Sequence, residues 1–216
     1  MMKTLIVTGG TVEKPFAADY VRQQDFDYFI AADSGIRFFA EEGIRPDEIL
    51  GDFDSADPVL LSQFRQDAGI IFHQFRPEKD AVDTELALEL AMERESSEIH
   101  ILGGTGTRMD HMLGTVRLLG FAMERGITCY LADAHNRIRL IQSRTVLKKA
   151  KQYGTYVSLI PLTTQAAGVT LTGFKYPLQD YTLGGFTSLG VSNEIEEEEA
   201  VVDVKEGILI LVESRD

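Results

Sequence analysis

Residues 99–111, IHILGGTGTRMDH, give the clearest indication of the fold of this chain of 216 residues. It joins a short apolar run, a loop with three glycines and the start of a helical pattern that continues over residues 112–125. A strand that passes through a glycine loop into a helix is typical of α/β proteins with a parallel sheet. The backbone N–H groups of such a loop can bind phosphate oxygens, aided by the N-terminus of the helix.

Apolar runs of the same kind surround this stretch, at residues 5–7, 28–32, 70–72 and 127–131. They are short and bounded by Gly or Asp, and helical patterns such as residues 84–95 lie between them. Such runs are typical of buried parallel strands. The sequence therefore predicts an α/β N-terminal domain with a mostly parallel sheet over residues 1–135.

The pattern changes near residue 135, where apolar and polar residues begin to alternate, as in 137–141. Residues 201–204 and 208–212 flank Lys205-Glu206-Gly207, which indicates a β-hairpin. No convincing helical pattern follows residue 150. We expect an all-β, sandwich-like C-terminal domain over residues 136–216.

Composition limits the partners and the location. The net charge of −13 argues against a nucleic-acid partner but not against a nucleotide, which needs only a local cation and backbone N–H groups. No segment approaches the roughly 18 apolar residues of a membrane span, and the apolar N-terminal run is too short for a signal peptide. The single cysteine, Cys129, excludes an intramolecular disulfide. We expect a cytoplasmic protein with no membrane partner.

Acidic residues lie beside the strand ends and helix starts, which is where ligands bind in open α/β sheets. They are Asp33, Asp52, Asp54, Asp80, Asp83 and Asp110. In an extended segment Asp52 and Asp54 project to the same side and Phe53 to the other, toward the core. Two adjacent carboxylates favour a bound cation, and Mg²⁺ prefers such oxygens together with water and phosphate.

Each of these residues also has a purely structural interpretation. The segment 51–55 can be a polar turn with an Asp helix cap before Pro58. Asp83 can be the N-cap of a helix over residues 85–93, although capping does not explain Asp80. Lys79 can meet a phosphate or pair with an acid, and His111 can close a helix start by a hydrogen bond.

Arg108 completes the pattern, since its guanidinium suits phosphate geometry and keeps its charge. The glycine loop is not a P-loop, because the Gly-Lys-Ser/Thr ending is missing. Many acids, glycine loops, one Arg and no evident nucleophile indicate phosphoryl-type transfer, which depends on positioning and charge neutralisation. The residues alone predict Mg-nucleotide phosphotransfer to an unknown acceptor.

Taken together, several segments resemble the thiamine pyrophosphokinase family in order and spacing. They are Ala32-Asp33-Ser34-Gly35, Gly51-Asp52-Phe53-Asp54-Ser55, Lys79-Asp80 through Thr84-Glu85, Gly103-Gly104 through Arg108-Met109-Asp110-His111, and Ser188 through Ser192-Asn193-Glu194. The resemblance implies an ATP-dependent transferase that moves a diphosphate onto the thiamine hydroxyl and releases AMP. It also implies a homodimer with the acceptor site near the subunit interface.

The resemblance assigns roles to the candidate residues. The catalytic set it implies is Asp52, Asp54, Asp80, Asp83, Arg108 and Asp110, with Mg²⁺ held by Asp52, Asp54, Asp80 and Asp83. The ATP set is Asp33, Gly35, Thr84, Gly103, Gly104, Arg108 and His111. The thiamine set is Ser188, Ser192 and Asn193.

Two other functions share part of this pattern. A diphosphokinase acting on another alcohol, such as a pterin, would keep the Asp cluster and differ in its acceptor site, and Ser192-Asn193 favours thiamine. A non-catalytic sensor of nucleotide or thiamine diphosphate would not need so many adjacent carboxylates.

Overall fold

The computed structural model describes residues 1–54, 57–75, 82–185 and 187–216. It divides into two compact units, Met1–Ala134 and His135–Asp216. Among the helices of these described residues, none combines the length and the apolar composition that a membrane span requires.

The first unit is an α/β structure with a parallel sheet, as predicted. Its strands are β1 (Met2–Val7), β2 (Tyr28–Ala32), β3 (Glu48–Gly51), β4 (Ile71–Gln74), β5 (Ser96–Leu102) and β6 (Thr128–Ala132), and its helices are α1 (Lys14–Gln23), α2 (Ile36–Glu42), α3 (Pro58–Phe64), α4 (Asp83–Glu93) and α5 (Met109–Glu124). The strand order is β4-β3-β2-β1-β5-β6, and all neighbouring pairs are parallel.

The central strand of this sheet is covered on both faces. Successive residues of a strand point to opposite faces, and four consecutive residues of β1, ending at Val7, are buried. The run of apolar residues that predicted the strand is therefore explained by burial on both sides. Chain order reverses at β1, whose neighbours are β2 and β5, and this reversal opens a crevice beside the carboxyl end of β1.

The second unit consists of antiparallel sheets. Its strands are β7 (Asn136–Ile141), β8 (Thr145–Lys148), β9 (Tyr156–Pro161), β10 (Gln165–Thr172), β11 (Leu178–Gly184), β12 (Asn193–Glu194), β13 (Glu199–Asp203) and β14 (Leu209–Ser214). One sheet runs in the order β11-β10-β13-β8, and the other strands run in the order β12-β9-β14-β7. Buried residues of both groups, such as Leu171 of β10 and Leu211 of β14, share one hydrophobic core.

The predicted hairpin at residues 201–212 is wrong. Strand β13 pairs with β8 and β10, whereas β14 pairs with β7 and β9, so the two strands belong to different sheets. The segment between them bonds instead to β10, where the backbone N–H groups of Lys205 and Glu206 donate to the carbonyl of Ala167 at 3.1 and 3.2 Å. Local alternation predicted both strands but could not predict their partners.

Candidate nucleotide and acceptor sites

A cavity of about 660 Å³ lies in the first unit at the carboxyl ends of β1, β2 and β5. It is lined by residues 8–11, 33, 82–84, 103–108, 111 and 115. The loop after β1 and the loop after β5 both line it, at the point where the strand order reverses. This is the position at which open α/β sheets bind their ligands.

The two glycine loops are in backbone contact. A Cβ on Gly10 would lie 1.9 Å from the carbonyl oxygen of Gly103 and 3.1 Å from that of Thr105. A Cβ on Gly103, whose φ is 78°, would lie 2.6 Å from the carbonyl oxygen of Thr8. No side chain fits at either position without moving backbone, so the sequence requires glycine at both.

Hydrogen bonds fix the base of this cavity. The backbone N–H of Thr8 donates to the carbonyl of Leu102 at 2.9 Å, and the hydroxyl of Ser34 donates to the carbonyl of Gly9 at 3.2 Å. Sequence reasoning did not assign Gly9, Gly10 or Thr11 to a site. The only available signal was the glycine pair after the first apolar run, which also fits an ordinary turn.

Arg108, at the start of α5, lines the cavity and forms an exposed fork with Asp110. Its Nε donates to Asp110 Oδ1 at 3.2 Å and its Nη2 to Oδ2 at 2.6 Å. These hydrogen bonds lower the pKa of the Asp110 carboxyl to about 2. His111 lines the cavity, whereas Asp110 is not among its lining residues, and Asp110 Oδ1 also accepts the backbone N–H of His111 at 3.0 Å.

The predicted acids are placed in different ways. Asp33, Asp83 and Thr84 line the cavity, while Asp52 and Asp54 follow β3 outside the lining residues. Asp83 is the first residue of α4 rather than its N-cap, and its charge suits the positive end of the helix. Lys79 and Asp80 lie outside the described residues.

The residues around Gly51 join two strand ends. A Cβ on Gly51 would lie 3.3 Å from the Cα of Asp33, which places the end of β3 against the residue that follows β2. Gly35 packs in the same region, since a Cβ there would lie 2.1 Å from the carbonyl oxygen of Val7. The backbone thus brings the carboxyl ends of β1, β2 and β3 together.

The extended backbone expected at residues 52–54 is not present. Phe53 adopts a left-handed conformation with φ of 64°, and the backbone N–H of Asp54 donates to Asp52 Oδ1 at 3.0 Å. The segment is a turn, so alternation along a strand does not place the two carboxylates. The described residues contain no group of three or more His, Cys, Asp or Glu placed to hold a metal, and the metal site stays a prediction.

A further cavity, of about 440 Å³, lies in the second unit and is lined by residues 171, 176, 178, 187–191 and 193. Two residues of the predicted thiamine set, Ser188 and Asn193, are among them. Ser192 is not, and its backbone N–H donates to the hydroxyl of Ser158 at 2.9 Å. The contact of these residues with thiamine stays a prediction.

The amide of Asn193 is buried and bonded to backbone. Its Oδ1 accepts the N–H groups of Tyr176 at 3.0 Å and Glu194 at 2.9 Å, and its Nδ2 donates to the carbonyl of Tyr176 at 2.8 Å. Asn193 therefore fixes the backbone of Tyr176, whose side chain is 60% exposed and lines the cavity. Nothing in the sequence singled out Tyr176, because only this long-range contact places it.

Comparison with known proteins identifies two domains in the chain. Residues 21–131 match the thiamin pyrophosphokinase catalytic domain, and residues 144–209 match the thiamin pyrophosphokinase vitamin B1 binding domain. The first match covers most of the unit with the glycine-lined cavity, and the second contains every residue of the other cavity.

Relatives match over the whole length. The chain is 34% identical over 217 residues to the thiamine pyrophosphokinase of Bacillus subtilis, covering 100% of both chains. The crystal structure of thiamine pyrophosphokinase from Bacillus subtilis superposes with a TM-score of 0.88 at 32% identity, covering 99% of each chain. The crystal structure of the Geobacillus thermodenitrificans thiamin pyrophosphokinase superposes with a TM-score of 0.86 at 30% identity, covering 100% of this chain and 98% of the other.

The contact between the glycine loops predicts the effect of adding one methyl group. Gly10→Ala should abolish detectable ATP binding and lower the melting temperature, because its Cβ meets backbone oxygen. Gly114→Ala is the matched control, since a Cβ there meets nothing within 4 Å and lies inside α5. We expect it to stabilise the protein by about 0.5–1 kcal/mol. Calorimetry with ATP and thermal unfolding test both variants, and parent-like ATP affinity and melting temperature in Gly10→Ala would contradict the prediction.

Proposed function

The chain belongs to the thiamin pyrophosphokinase family, and we propose that it holds ATP in the cavity of its first unit and thiamine in that of its second. Its activity is diphosphate transfer that forms thiamine diphosphate. The observation that carries the placement is that the catalytic-domain match, residues 21–131, includes most of the residues that line the first cavity, and the vitamin B1 binding match includes all residues that line the second. Membership in this family decides against the pterin and sensor alternatives.

Phosphate binding is proposed for the two glycine loops. Backbone N–H groups of residues 9–11 and 103–107 are the donors available there, and the positive end of the 16-residue helix α5 adds to them. Arg108 supplies the cationic fork, and we propose that Asp110 orients it until phosphate competes for it. The ATP set from the sequence, Asp33, Gly35, Thr84, Gly103, Gly104 and His111, remains part of this proposal.

The reaction moves the β- and γ-phosphates of ATP as one group. The hydroxyl oxygen of thiamine attacks the β-phosphorus, and the bond between that phosphorus and the oxygen bridging to the α-phosphorus breaks. AMP leaves with the electron pair of that bond, and the hydroxyl proton is released. The protein contributes positioning and charge neutralisation, which suits a site of glycines, acids and Arg108 with no nucleophile assigned.

We propose that Mg²⁺ is held by Asp52, Asp54, Asp80 and Asp83. Their carboxylate oxygens are ligands that this ion prefers, and the backbone at Gly51 brings the Asp52 turn against Asp33 at the cavity wall. When bound, Mg²⁺ neutralises phosphate charge as the leaving group departs.

For the acceptor we propose that the ring of Tyr176 stacks on thiamine and that Ser188 lies beside it. In this proposal Asn193 acts through its hydrogen bonds to the backbone of Tyr176. Ser192 acts through its left-handed backbone, which forms part of the adjoining turn. A homodimer with the acceptor site near the subunit interface, and a cytoplasmic location where ATP is available, are also proposed. The family resemblance supports the homodimer.

The metal assignment predicts a large loss of turnover in Asp54→Asn, which keeps the size of the side chain and removes its charge. With saturating Mg²⁺, ATP and thiamine, AMP release should fall by on the order of 10²-fold, or about 2.7 kcal/mol of transition-state stabilisation. Asp25→Asn, at an exposed position outside the site, should keep the parent rate.

Two results would contradict this account in different places. Near-normal turnover in both Asp52→Asn and Asp54→Asn would remove the metal from this turn. Formation of ADP instead of AMP by the parent protein would contradict transfer of a diphosphate.

The acceptor assignment predicts a selective effect of Tyr176→Ala. Loss of the ring should raise the thiamine KM by on the order of tenfold and leave the ATP KM unchanged, because ring stacking contributes roughly 0.5–1.5 kcal/mol beyond its buried area. Tyr176→Phe should stay close to the parent, and Tyr181→Ala, an exposed ring on β11, is the control.

Asn193→Ala should act through Tyr176 and through stability together. It removes the hydrogen bonds that fix Tyr176, so both a higher thiamine KM and a lower melting temperature are expected. An unchanged thiamine KM in Tyr176→Ala and Asn193→Ala would move the acceptor site elsewhere.

A further inference from the structure

Phe53 is the conformational exception in the turn proposed to bind the metal. Its φ of 64° lies in the left-handed region, which a bulky side chain rarely adopts. Asp33, on the other side of Gly51, is also left-handed, with φ of 51°. Residues held in such conformations persist only where the surrounding structure imposes them, and they cluster at functional sites.

The contacts that hold Phe53 come from two other elements. Its ring packs at 63° against the ring of Phe72 in β4, with centroids 6.4 Å apart. The guanidinium carbon of Arg65, the residue after α3, lies 4.8 Å from the centroid of Phe72 and 6.0 Å from that of Phe53. One cation thus contacts both rings, at distances typical of cation–π interactions.

The turn is tied to the sheet at its start as well. The backbone N–H of Phe75, just after β4, donates to the carbonyl of Gly51 at 3.1 Å, and Asp52 Oδ1 accepts the N–H of Asp54. Asp67, two residues after Arg65 in the chain, forms a salt bridge with a different arginine, Arg45, whose Nε lies 2.7 Å from Asp67 Oδ2. Among the described interactions, the ring contacts are those that connect Arg65 to the turn.

Ring packing and cation–π contact have free energies of the same order as the strain of one left-handed residue. The free energy of either contact alone does not greatly exceed the strain energy of the left-handed residue. Loss of the Arg65 cation should therefore lower the population of the turn conformation. The carboxylates of Asp52 and Asp54 lie on either side of Phe53, and any change in its φ moves them relative to each other.

We propose that Arg65 is a positioning residue for diphosphate transfer: through the rings of Phe72 and Phe53 it holds the Asp52–Asp54 turn in the conformation that binds Mg²⁺. The inference rests on the proposed function of this turn. Arg65 acts through the rings and touches neither substrate nor metal.

The test compares Arg65→Met, which keeps a long side chain, with Arg65→Lys, which keeps the charge but loses the planar group. Arg22→Met in α1 is the control, because Arg22 is an exposed arginine paired with Asp19. Calorimetry measures Mg²⁺ binding in the presence of a non-hydrolysable ATP analogue. Steady-state assays measure the Mg²⁺ dependence of AMP release and the thiamine KM.

We expect Arg65→Met to weaken Mg²⁺ binding about fivefold, with the thiamine KM unchanged and turnover largely restored at high Mg²⁺. Arg65→Lys should recover part of the loss. Phe72→Leu should weaken Mg²⁺ binding too, and adding Arg65→Met to it should have little further effect, because both act through the same ring contact.

Parent-like Mg²⁺ affinity in Arg65→Met would overturn the inference, even if its melting temperature fell, because that pattern marks a purely structural residue. Full additivity of Arg65→Met and Phe72→Leu would also overturn it. If Asp54→Asn keeps normal Mg²⁺ affinity, the metal assignment itself fails. If Asp54→Asn loses Mg²⁺ affinity while Arg65→Met does not, only the role of Arg65 is refuted.

Discussion

The close approach of Gly10 and Gly103 is the constraint on which the candidate nucleotide site depends. Strands β1 and β5 are parallel neighbours, so the loops that follow them leave the same edge of the sheet. Because neither residue has a Cβ, the two loops meet backbone to backbone. Both loops then line one cavity together with Arg108 at the start of α5. The form of this cavity thus depends on two glycines that lie far apart in the chain.

Features encoded locally were predictable from the sequence. The buried parallel strands follow from short apolar runs, and the glycine loop before α5 follows from residues 103–108. The pairing of β13 and β14 was mispredicted, because alternation along a strand does not specify its partner. The packing of Gly10 was missed for the same reason, since its contact is with Gly103. Phe53 shows a third limit, because the local pattern predicted an extended backbone where the structure has a left-handed residue.

Two residues that the sequence nominated for the site, Asp110 and Asn193, have side chains that are engaged within the protein. The carboxylate of Asp110 holds the fork of Arg108, and the amide of Asn193 holds the backbone of Tyr176. A sequence motif identifies such residues without showing which polar atoms are already engaged within the protein. The structure adds that distinction, and it shows that Tyr176, which belongs to no motif, lines the cavity of the second unit.

The most direct test is a crystal structure of the protein with Mg²⁺ and a non-hydrolysable ATP analogue. We predict that the phosphates lie against the loops of residues 8–11 and 103–108, within hydrogen-bonding distance of their backbone N–H groups, and that Arg108 contacts a phosphate oxygen. Phosphates bound elsewhere, with both glycine loops free of the ligand, would contradict it.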